Sequence, residues 1–188
     1  VRWLKQDNAE FSADPFVSTI DDEPVIYYEY LGEYAAKGEL YLVKNFDFSR
    51  KQKITGLHPA DIHYSYPYLV EDNGKLFCVP ESSAANEVAL YQIQKTNPAN
   101  FTNKITLLQG SKFVDSSLIH YQGLYWIFTN IKDKPGELLI YYADSISGPY
   151  RPHVLNPIKA NEKTSRGGGK MFVVDGVLYR PTQNHSRT

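Results

Sequence analysis

The segment Asp115-Ser-Ser-Leu-Ile-His120, followed by Gln122-Gly123 and Leu124-Tyr-Trp-Ile-Phe-Thr129, decides the fold of this chain. Two short strands rich in aliphatic and aromatic residues flank a tight turn, which is a typical hairpin signal. The unit recurs at Asp14-Pro-Phe-Val-Ser-Thr-Ile20, Tyr66-Pro-Tyr-Leu-Val70 and Gly169-Lys-Met-Phe-Val-Val174. About fifty residues separate one copy from the next, a period that indicates a repeat architecture.

A third strand follows the first three hairpins, and Lys104-Ile-Thr-Leu-Leu108 adds a fourth, outer strand. A four-stranded antiparallel unit at this period predicts an all-β, five-bladed β-propeller. The ring is incomplete, because the fourth copy ends after two strands, unless residues 1–11 contribute to it. A β-sandwich of irregular meanders is the alternative. The predicted blades are 13–55, 62–110, 113–155 and 166–188.

Composition excludes several classes of function. The 188 residues are 42% hydrophobic and 22% charged, which is typical of a folded domain. The formal net charge is -1 and no basic run is present, so no nucleic-acid partner is expected. No apolar run is long enough to span a membrane, and no signal-peptide pattern opens the chain. We therefore expect a soluble, cytoplasmic protein, although both chain ends could be cuts in a longer polypeptide.

Cysteine and histidine usage predicts neither a metal nor a cofactor. Cys78 is the single cysteine and lies in an apolar run, which indicates a buried, inert thiol. The five histidines show no metal-ligand spacing. His63 is the only one expected near the rim of the ring, and we expect it to be solvated.

The first strand of each blade lines the central channel of a propeller, so Asp14 and Asp115 are expected at the same depth. Such a carboxylate pair is typical of glycoside cleavage, in which one group activates water or attacks and another protonates the leaving oxygen. The alternative for Asp14 is a turn residue before Pro15.

Glu29 and Glu81 occupy matching positions, each 15 residues after the start of its copy. Glu81 ends an apolar strand, where burial would raise the pKa of its carboxyl group and suit it to act as an acid. Its alternatives are a hydrogen bond to Ser82 or Ser83, or an ion pair with an arginine. We favour an ion pair between Glu81 and Arg166.

Further residues complete the predicted substrate site. Arg166 precedes Gly167-Gly-Gly169 and is a candidate clamp for a carboxylate or phosphate, or a strut for Asp14 or Asp115. Most aromatic residues belong to the core. The candidates for substrate contacts in the channel are Tyr64, Tyr66, Arg180 and Gln183.

The chain resembles the five-bladed propellers of the arabinanase, xylosidase and fructosidase superfamily. The resemblance rests on Ala13-Asp-Pro-Phe16, Val114-Asp-Ser-Ser117 and Ala143-Asp-Ser-Ile-Ser-Gly-Pro-Tyr150. A closer similarity is to the propeller-like domain at the start of glucosamine inositolphosphorylceramide transferases and of bacterial formyltransferase-linked proteins. It rests on Tyr64-Ser-Tyr-Pro-Tyr68, Pro80-Glu-Ser-Ser83, Phe113-Val-Asp115 and Tyr179-Arg-Pro181.

In the hydrolase superfamily the first-blade Asp is the general base, the third-blade Asp tunes and orients, and a fourth-blade Glu is the acid. The resemblance assigns the first two roles to Asp14 and Asp115, but Arg166-Gly-Gly-Gly-Lys170 contains no Glu. We expect a carbohydrate- or glycoconjugate-binding domain that serves an adjoining transferase domain. The alternatives are an active glycosidase with Asp14 as base and Glu81 as acid, and a protein-interaction propeller. Self-association through the open edge is also expected.

Overall fold

The computed structural model describes residues 9–159 and 161–184. Blade 1 contains strands β1 (Ala9–Ile20), β2 (Glu23–Gly32), β3 (Glu39–Lys44) and β4 (Gln52–Lys53). Blade 2 contains β5 (Ser65–Asp72), β6 (Lys75–Glu81), β7 (Glu87–Gln94) and β8 (Asn97–Gln109). Blade 3 contains β9 (Phe113–Tyr121), β10 (Leu124–Ile131), β11 (Lys134–Ala143) and β12 (Arg151–Pro152), with β13 (Ile158–Lys159) also on β11. The hairpin β14 (Phe172–Val174) and β15 (Val177–Tyr179) is the described part of blade 4.

This architecture confirms the predicted all-β propeller with antiparallel, four-stranded blades. Strand β1 lies beside β5, and β5 lies beside β9, so the first strand is the innermost one in blades 1 to 3. The only helical elements in the described residues are two short 3-10 turns, Phe48–Arg50 and Ser83–Ala85. None of the described segments is a helix long and apolar enough to cross a membrane. Residues 1–8 and 185–188, to which the prediction assigned parts of the ring, lie outside the described residues.

The first hairpin of every blade closes through the same kind of turn. Both central residues have positive φ in Asp21-Asp22, Asn73-Gly74, Gln122-Gly123 and Asp175-Gly176. This conformation matches the right-handed twist of the paired strands, which explains the Asn, Asp and Gly residues in the sequence. The turns therefore fix the register of each hairpin locally.

A bulge interrupts the inner strand at the start of each of the first three repeats. Asp14, Tyr66 and Asp115 have φ of 50°, 44° and 46°, and the pairing register shifts beside each of them. Gly169 holds the equivalent place in blade 4 with φ 139°. A left-handed backbone costs a non-glycine residue roughly 1–2 kcal/mol. A bulge redirects the side chain that it carries, so the repeat places these residues at one end of the inner strands.

Aromatic residues join the inner strands into one core. The Phe16 ring meets the edge of Tyr66 at 4.9 Å between centroids, and Tyr68 lies 5.3 Å away. The hydroxyl groups of both tyrosines extend to blade 4, where they accept hydrogen bonds from the backbone N–H groups of Gly169 and Met171. Cys78 is fully buried in this core, and burial raises the pKa of its thiol, as expected of an inert residue.

Candidate functional site

A cavity of about 570 Å³ lies where the bulged ends of the inner strands meet. This central cavity has the size of a small-molecule site. It collects residues from all four repeats: Phe11, Asp14, Glu29, His63, Ser65, Glu81, Ser83, Ala84, Val114, Asp115, Asn130, Ile131, Lys132, Pro135, Arg166 and Gln183. Six of the nine predicted site residues therefore line this one cavity.

Asp14 reaches the cavity from the bulge of β1, so it belongs to a strand and not to a loop turn. Burial and the neighbouring charge of Asp115 raise the pKa of Asp14. Arg166 and a hydrogen bond from the Tyr66 backbone act in the opposite direction. The balance disfavours the ionised form of Asp14 in the folded protein.

Asp115 is the most strongly engaged carboxylate of the site. Its Oδ2 accepts a hydrogen bond from Nε of Arg166, and its side chain is only 2% exposed. Burial raises the pKa of Asp115 to about 7 against the lowering effect of Arg166, and the neighbouring Glu81 adds to the increase. The structure therefore supports the alternative in which Arg166 is a strut for Asp115.

Glu81 has a different partner from the arginine that the sequence analysis favours. Its Oε2 accepts a hydrogen bond from the backbone N–H of Asp115 at 3.2 Å. Within the described residues, Arg166 pairs with Asp115 through Nε and makes no ion pair with Glu81. Glu81 thus links the end of β6 to the bulge of β9, and the expected Glu81–Arg166 ion pair is corrected to Asp115–Arg166.

Glu29 lies on β2 directly opposite Ala13, the residue before the bulge of β1. Its side chain is 6% exposed, and its Oε1 lies 3.3 Å from Nε2 of His63. Burial is the main cause that raises the pKa of Glu29 to about 7, followed by the charges of Asp14, Glu81 and Asp115. His63 therefore contacts the site, while its side chain is 45% exposed, in keeping with the solvated residue expected near the rim.

Blade 4 contributes an arginine and an amide to the cavity. The segment 166–169 is held by the chain end, because Gly168 N–H donates to the Pro181 carbonyl and Gln183 N–H donates to the Arg166 carbonyl. An added Cβ at Gly167 would lie 2.9 Å from the Asp115 carbonyl oxygen and 3.0 Å from the Tyr66 hydroxyl. The glycines thus allow Arg166 to approach Asp115 closely, in the place where the resemblance requires a glutamate.

Three predicted substrate contacts lie elsewhere. The Tyr64 hydroxyl donates to the Pro59 carbonyl, and its ring lines a separate cavity of about 280 Å³ beside Leu40 and Ile54. The buried Tyr66 hydroxyl bonds to Ser117 and Gly169. Arg180 donates to the carbonyl groups of residues 164 and 165. All three side chains form hydrogen bonds within the protein, and the spacing of the repeat does not predict these partners.

Sequence reasoning missed several residues of the cavity. Asn130 is 2% exposed, donates through Nδ2 to the Glu137 carbonyl, and has no partner for Oδ1 in the described part of the chain. Lys132 and Ser83 also line the cavity. Asn130 lies 15 residues after Asp115, as Glu29 and Glu81 lie 15 residues after the starts of their copies, and this spacing is the signal that could have found it. No group of three or more His, Cys, Asp or Glu among residues 9–159 and 161–184 could hold a metal ion.

Comparisons with known proteins agree with this description. A sequence model of the family described as "Glucosamine inositolphosphorylceramide transferase 1, N-terminal" matches residues 5–188. Glucosamine inositolphosphorylceramide transferase 1 of Oryza sativa subsp. japonica is 30% identical over 96% of this chain, and that of Arabidopsis thaliana is 28% identical over 94%. The chain spans only about a quarter of the length of these relatives, 25% and 24%.

Solved structures show the fold. A family-43 β-1,3-galactosidase superposes with a TM-score of 0.69 at 11% identity, over 92% of this chain and 40% of the other. An exo-β-1,3-galactanase of Phanerochaete chrysosporium with bound β-1,3-galactotriose superposes with a TM-score of 0.59 at 11% identity, over 74% of this chain and 34% of the other. The blades described above are therefore those of a glycosidase-like propeller.

Proposed function

We propose, because this chain belongs to the family described as "Glucosamine inositolphosphorylceramide transferase 1, N-terminal", that it is a domain that binds a carbohydrate or glycoconjugate. The ligand occupies the central cavity, and the domain presents it to an adjoining transferase domain. The domain does not cleave a glycosidic bond. The glycosidase-like fold and the relatives' name support the ligand class.

The Asp115–Arg166 pair is the observation that carries the proposal. A glycosidase needs two carboxyl groups free to face the scissile bond from either side. Here blade 4 presents Arg166 and Gln183 to the cavity in place of the acid glutamate that the resemblance requires, and Asp115 holds Arg166 there. Glu81 receives the backbone N–H of Asp115. The site thus favours holding a ligand over protonating a leaving group.

The polar groups of the cavity suit a polyol. Carboxylates and the Asn130 Oδ1 accept hydrogen bonds, whereas Arg166, Lys132 and the Gln183 amide donate them. Sugar hydroxyl groups do both, and a few well-placed polar groups set the orientation of a ligand in such a cavity. The two cations also provide a place for a phosphate group on a glycoconjugate.

Binding to the full-length protein tests this proposal. Isothermal titration calorimetry would use N-acetylglucosamine, myo-inositol 1-phosphate and β-1,3-galactobiose as probes. We expect at least one to bind, and Arg166→Gln to weaken that binding about tenfold or more, since charged hydrogen bonds contribute about 1.5–3 kcal/mol. Lys75→Gln, at the exposed turn of the first hairpin of blade 2, is the matched control. Failure of all three probes to bind would refute the proposal.

An active glycosidase remains the second candidate, because Glu29 and Asp115 have pKa values of about 7 and can hold a proton at neutral pH. Hydrolysis of aryl glycosides by the intact protein, lost in both Asp14→Asn and Glu81→Gln, would establish it. Ligand binding without turnover would support the binding role instead.

The proposal extends to the complete ring. We propose that five blades close it, with the missing strands of blade 4 supplied beyond the described hairpin. The support is the exposed apolar surface of β14 and β15, where Phe172, Val174 and Val177 are each about half exposed (50%, 48% and 53%). Such a surface promotes association. Sedimentation of the 188-residue chain at increasing concentration should show self-association, and longer forms that contain further blade strands should not.

A further inference from the structure

The inference below concerns Glu29 and rests on the proposed function. We infer that Glu29 binds the ligand in its protonated form, donating a hydrogen bond from Oε2 to a sugar oxygen, and that His63 is a positioning residue that fixes the proton there. Glu29 thereby becomes a donor to the ligand, whereas an ionised glutamate can only accept.

The tautomer of His63 follows from its two contacts. Nδ1 of His63 accepts a hydrogen bond from the backbone N–H of Gly38 at 2.9 Å. Nδ1 therefore carries no proton, and the neutral ring carries its proton on Nε2. Nε2 lies 3.3 Å from Oε1 of Glu29, so the nitrogen that carries the proton contacts that oxygen. Burial lowers the pKa of His63, and Lys132 adds to this effect, which agrees with a neutral ring.

Gly38 keeps the two side chains in this arrangement. A Cβ on Gly38 would lie 2.4 Å from Oε1 of Glu29 and 2.7 Å from Cε1 of His63. The backbone of Gly38 therefore packs directly on the contact between them. Neither side chain can turn toward Gly38, and the position of Oε1 is set.

The charges around Glu29 disfavour its ionisation. Asp14 lies on the adjacent strand of blade 1, and Glu81 and Asp115 line the same cavity from blades 2 and 3. Lys132 and Arg166 are the cationic side chains of the cavity, and Arg166 is engaged with Asp115. Neutral His63 adds no positive charge. The pKa of Glu29, raised to about 7, agrees with this balance.

The remaining oxygen is the one that can meet a ligand. Because the protonated Nε2 of His63 contacts Oε1, a second proton is disfavoured there, and a proton on Glu29 resides on Oε2. No hydrogen-bond partner for Oε2 is found among residues 9–159 and 161–184, and Glu29 lines the central cavity. A protonated Oε2 therefore needs an acceptor that the ligand can supply.

Proton-linked calorimetry of the full-length protein with N-acetylglucosamine tests the inference. This probe has no group that titrates near neutral pH, so proton uptake reports on the protein. Titrations in buffers of different ionisation enthalpy should show uptake approaching one proton per ligand at about pH 8 and little at about pH 6. The apparent affinity should fall about tenfold for each pH unit above 7, because the fraction of protein with protonated Glu29 falls by the same factor.

Matched variants separate Glu29 from its neighbours. Glu29→Gln keeps an oxygen for His63 and presents an amide donor, so it should bind at every pH without proton uptake. His63→Leu removes the polar N–H that contacts the carboxyl group and favours its ionised form, so it should move the midpoint of the pH profile upward by about one unit. A merely structural role for His63 would lower affinity without moving that midpoint.

Three results would overturn the inference while leaving the proposed function intact. These are binding that does not depend on pH, affinity that rises as pH increases, and proton uptake that survives in Glu29→Gln but is lost in Asp115→Asn. If Glu29→Gln does not fold, the wild-type protein alone decides: proton uptake on ligand binding supports the inference, and proton release contradicts it. Absence of N-acetylglucosamine binding at about pH 6, where the donor is present, would also count against it; loss of all probe binding would instead refute the proposed function.

Discussion

Asp14 and Tyr66 occupy the same position of neighbouring blades, and the fold uses them in opposite ways. Both sit on a bulge with positive φ, 50° and 44°. Asp14 lines the central cavity, and its pKa is raised by burial. Tyr66 is 1% exposed, and its hydroxyl bonds to Ser117 and to the backbone of Gly169. The folded protein disfavours ionisation of Asp14, whereas Tyr66 connects blade 2 to blade 4.

The same division holds for the other two blades. Asp115 faces the cavity from blade 3, and Gly169 in blade 4 donates its backbone N–H to the Tyr66 hydroxyl. A repeat therefore fixes where a side chain is placed but not what it does there. The role of the side chain follows from its size, because the tyrosine of blade 2 is long enough to reach blade 4, whereas an aspartate ends in the cavity.

The largest expected loss of stability comes from giving blade 2 the aspartate that blade 1 has at this position. Tyr66→Asp removes the ring that packs on Phe16 and adds a carboxyl group near Asp14 and Asp115. We expect a loss of about 3–5 kcal/mol in the free energy of unfolding, as for other large buried truncations. Urea denaturation would measure it.

Tyr66→Phe is the matched control, because it keeps the ring and removes only the hydroxyl group. It should cost about 1–3 kcal/mol, since the Gly169 N–H and Ser117 lose their partner. Wild-type stability of Tyr66→Asp would show that the two blade positions are interchangeable after all.

Stability should also depend on pH through the cavity carboxylates. The pKa values of Glu29 and Asp115 are raised to about 7, whereas unfolded carboxyl groups titrate at about 4. The folded state then holds more protons than the unfolded state. This contribution is fully present below about pH 4 and is lost as the pH rises through about 7, at up to about 1.4 kcal/mol per pH unit for each group.

Glu29→Gln isolates one of these contributions. It should match the wild type at about pH 4, and it should be the more stable protein at about pH 8, where wild-type Glu29 ionises. Equal stability of the two proteins at both pH values, measured by urea denaturation, would contradict the raised pKa.

A methyl group at Gly167 should disturb the contact between blades 3 and 4. Its Cβ would lie 2.9 Å from the Asp115 carbonyl oxygen, which belongs to the backbone and cannot swing away. Overpacking of this kind costs about 1–3 kcal/mol. Gly176→Ala, in the turn of the last hairpin, meets no neighbouring atom. It should cost only the strain of its positive φ, about 1–2 kcal/mol, and should leave ligand binding unchanged in calorimetry.

The sequence predicts the blades and the meeting of Asp14 with Asp115 because both follow from the repeat period and the hairpin turns. It does not predict the partners of Arg166, since Glu81 and Asp115 lie within one hydrogen-bond length of each other. The sequence places His63 near the rim, but it does not predict the contact of His63 with Glu29, because that contact depends on Gly38, 25 residues away, with no periodic signal. Tyr64 was expected two residues from Tyr66 in the channel, but its hydroxyl reaches Pro59 in the preceding loop.

The smallest expected effect on stability belongs to Asp14→Asn, and it completes the comparison with Tyr66. Because the pKa of Asp14 is raised in the folded protein, ionisation of this residue opposes folding at neutral pH. A neutral amide of the same shape removes that charge beside Asp115. We therefore expect the free energy of unfolding to stay within about 0.5 kcal/mol of the wild type or to rise slightly, whereas binding of the probe sugar falls. Denaturation and calorimetry on the same preparation would measure both quantities. A clear loss of stability in Asp14→Asn would mean that Asp14, like Tyr66, holds the ring together, and the distinction between the two blade positions would fail.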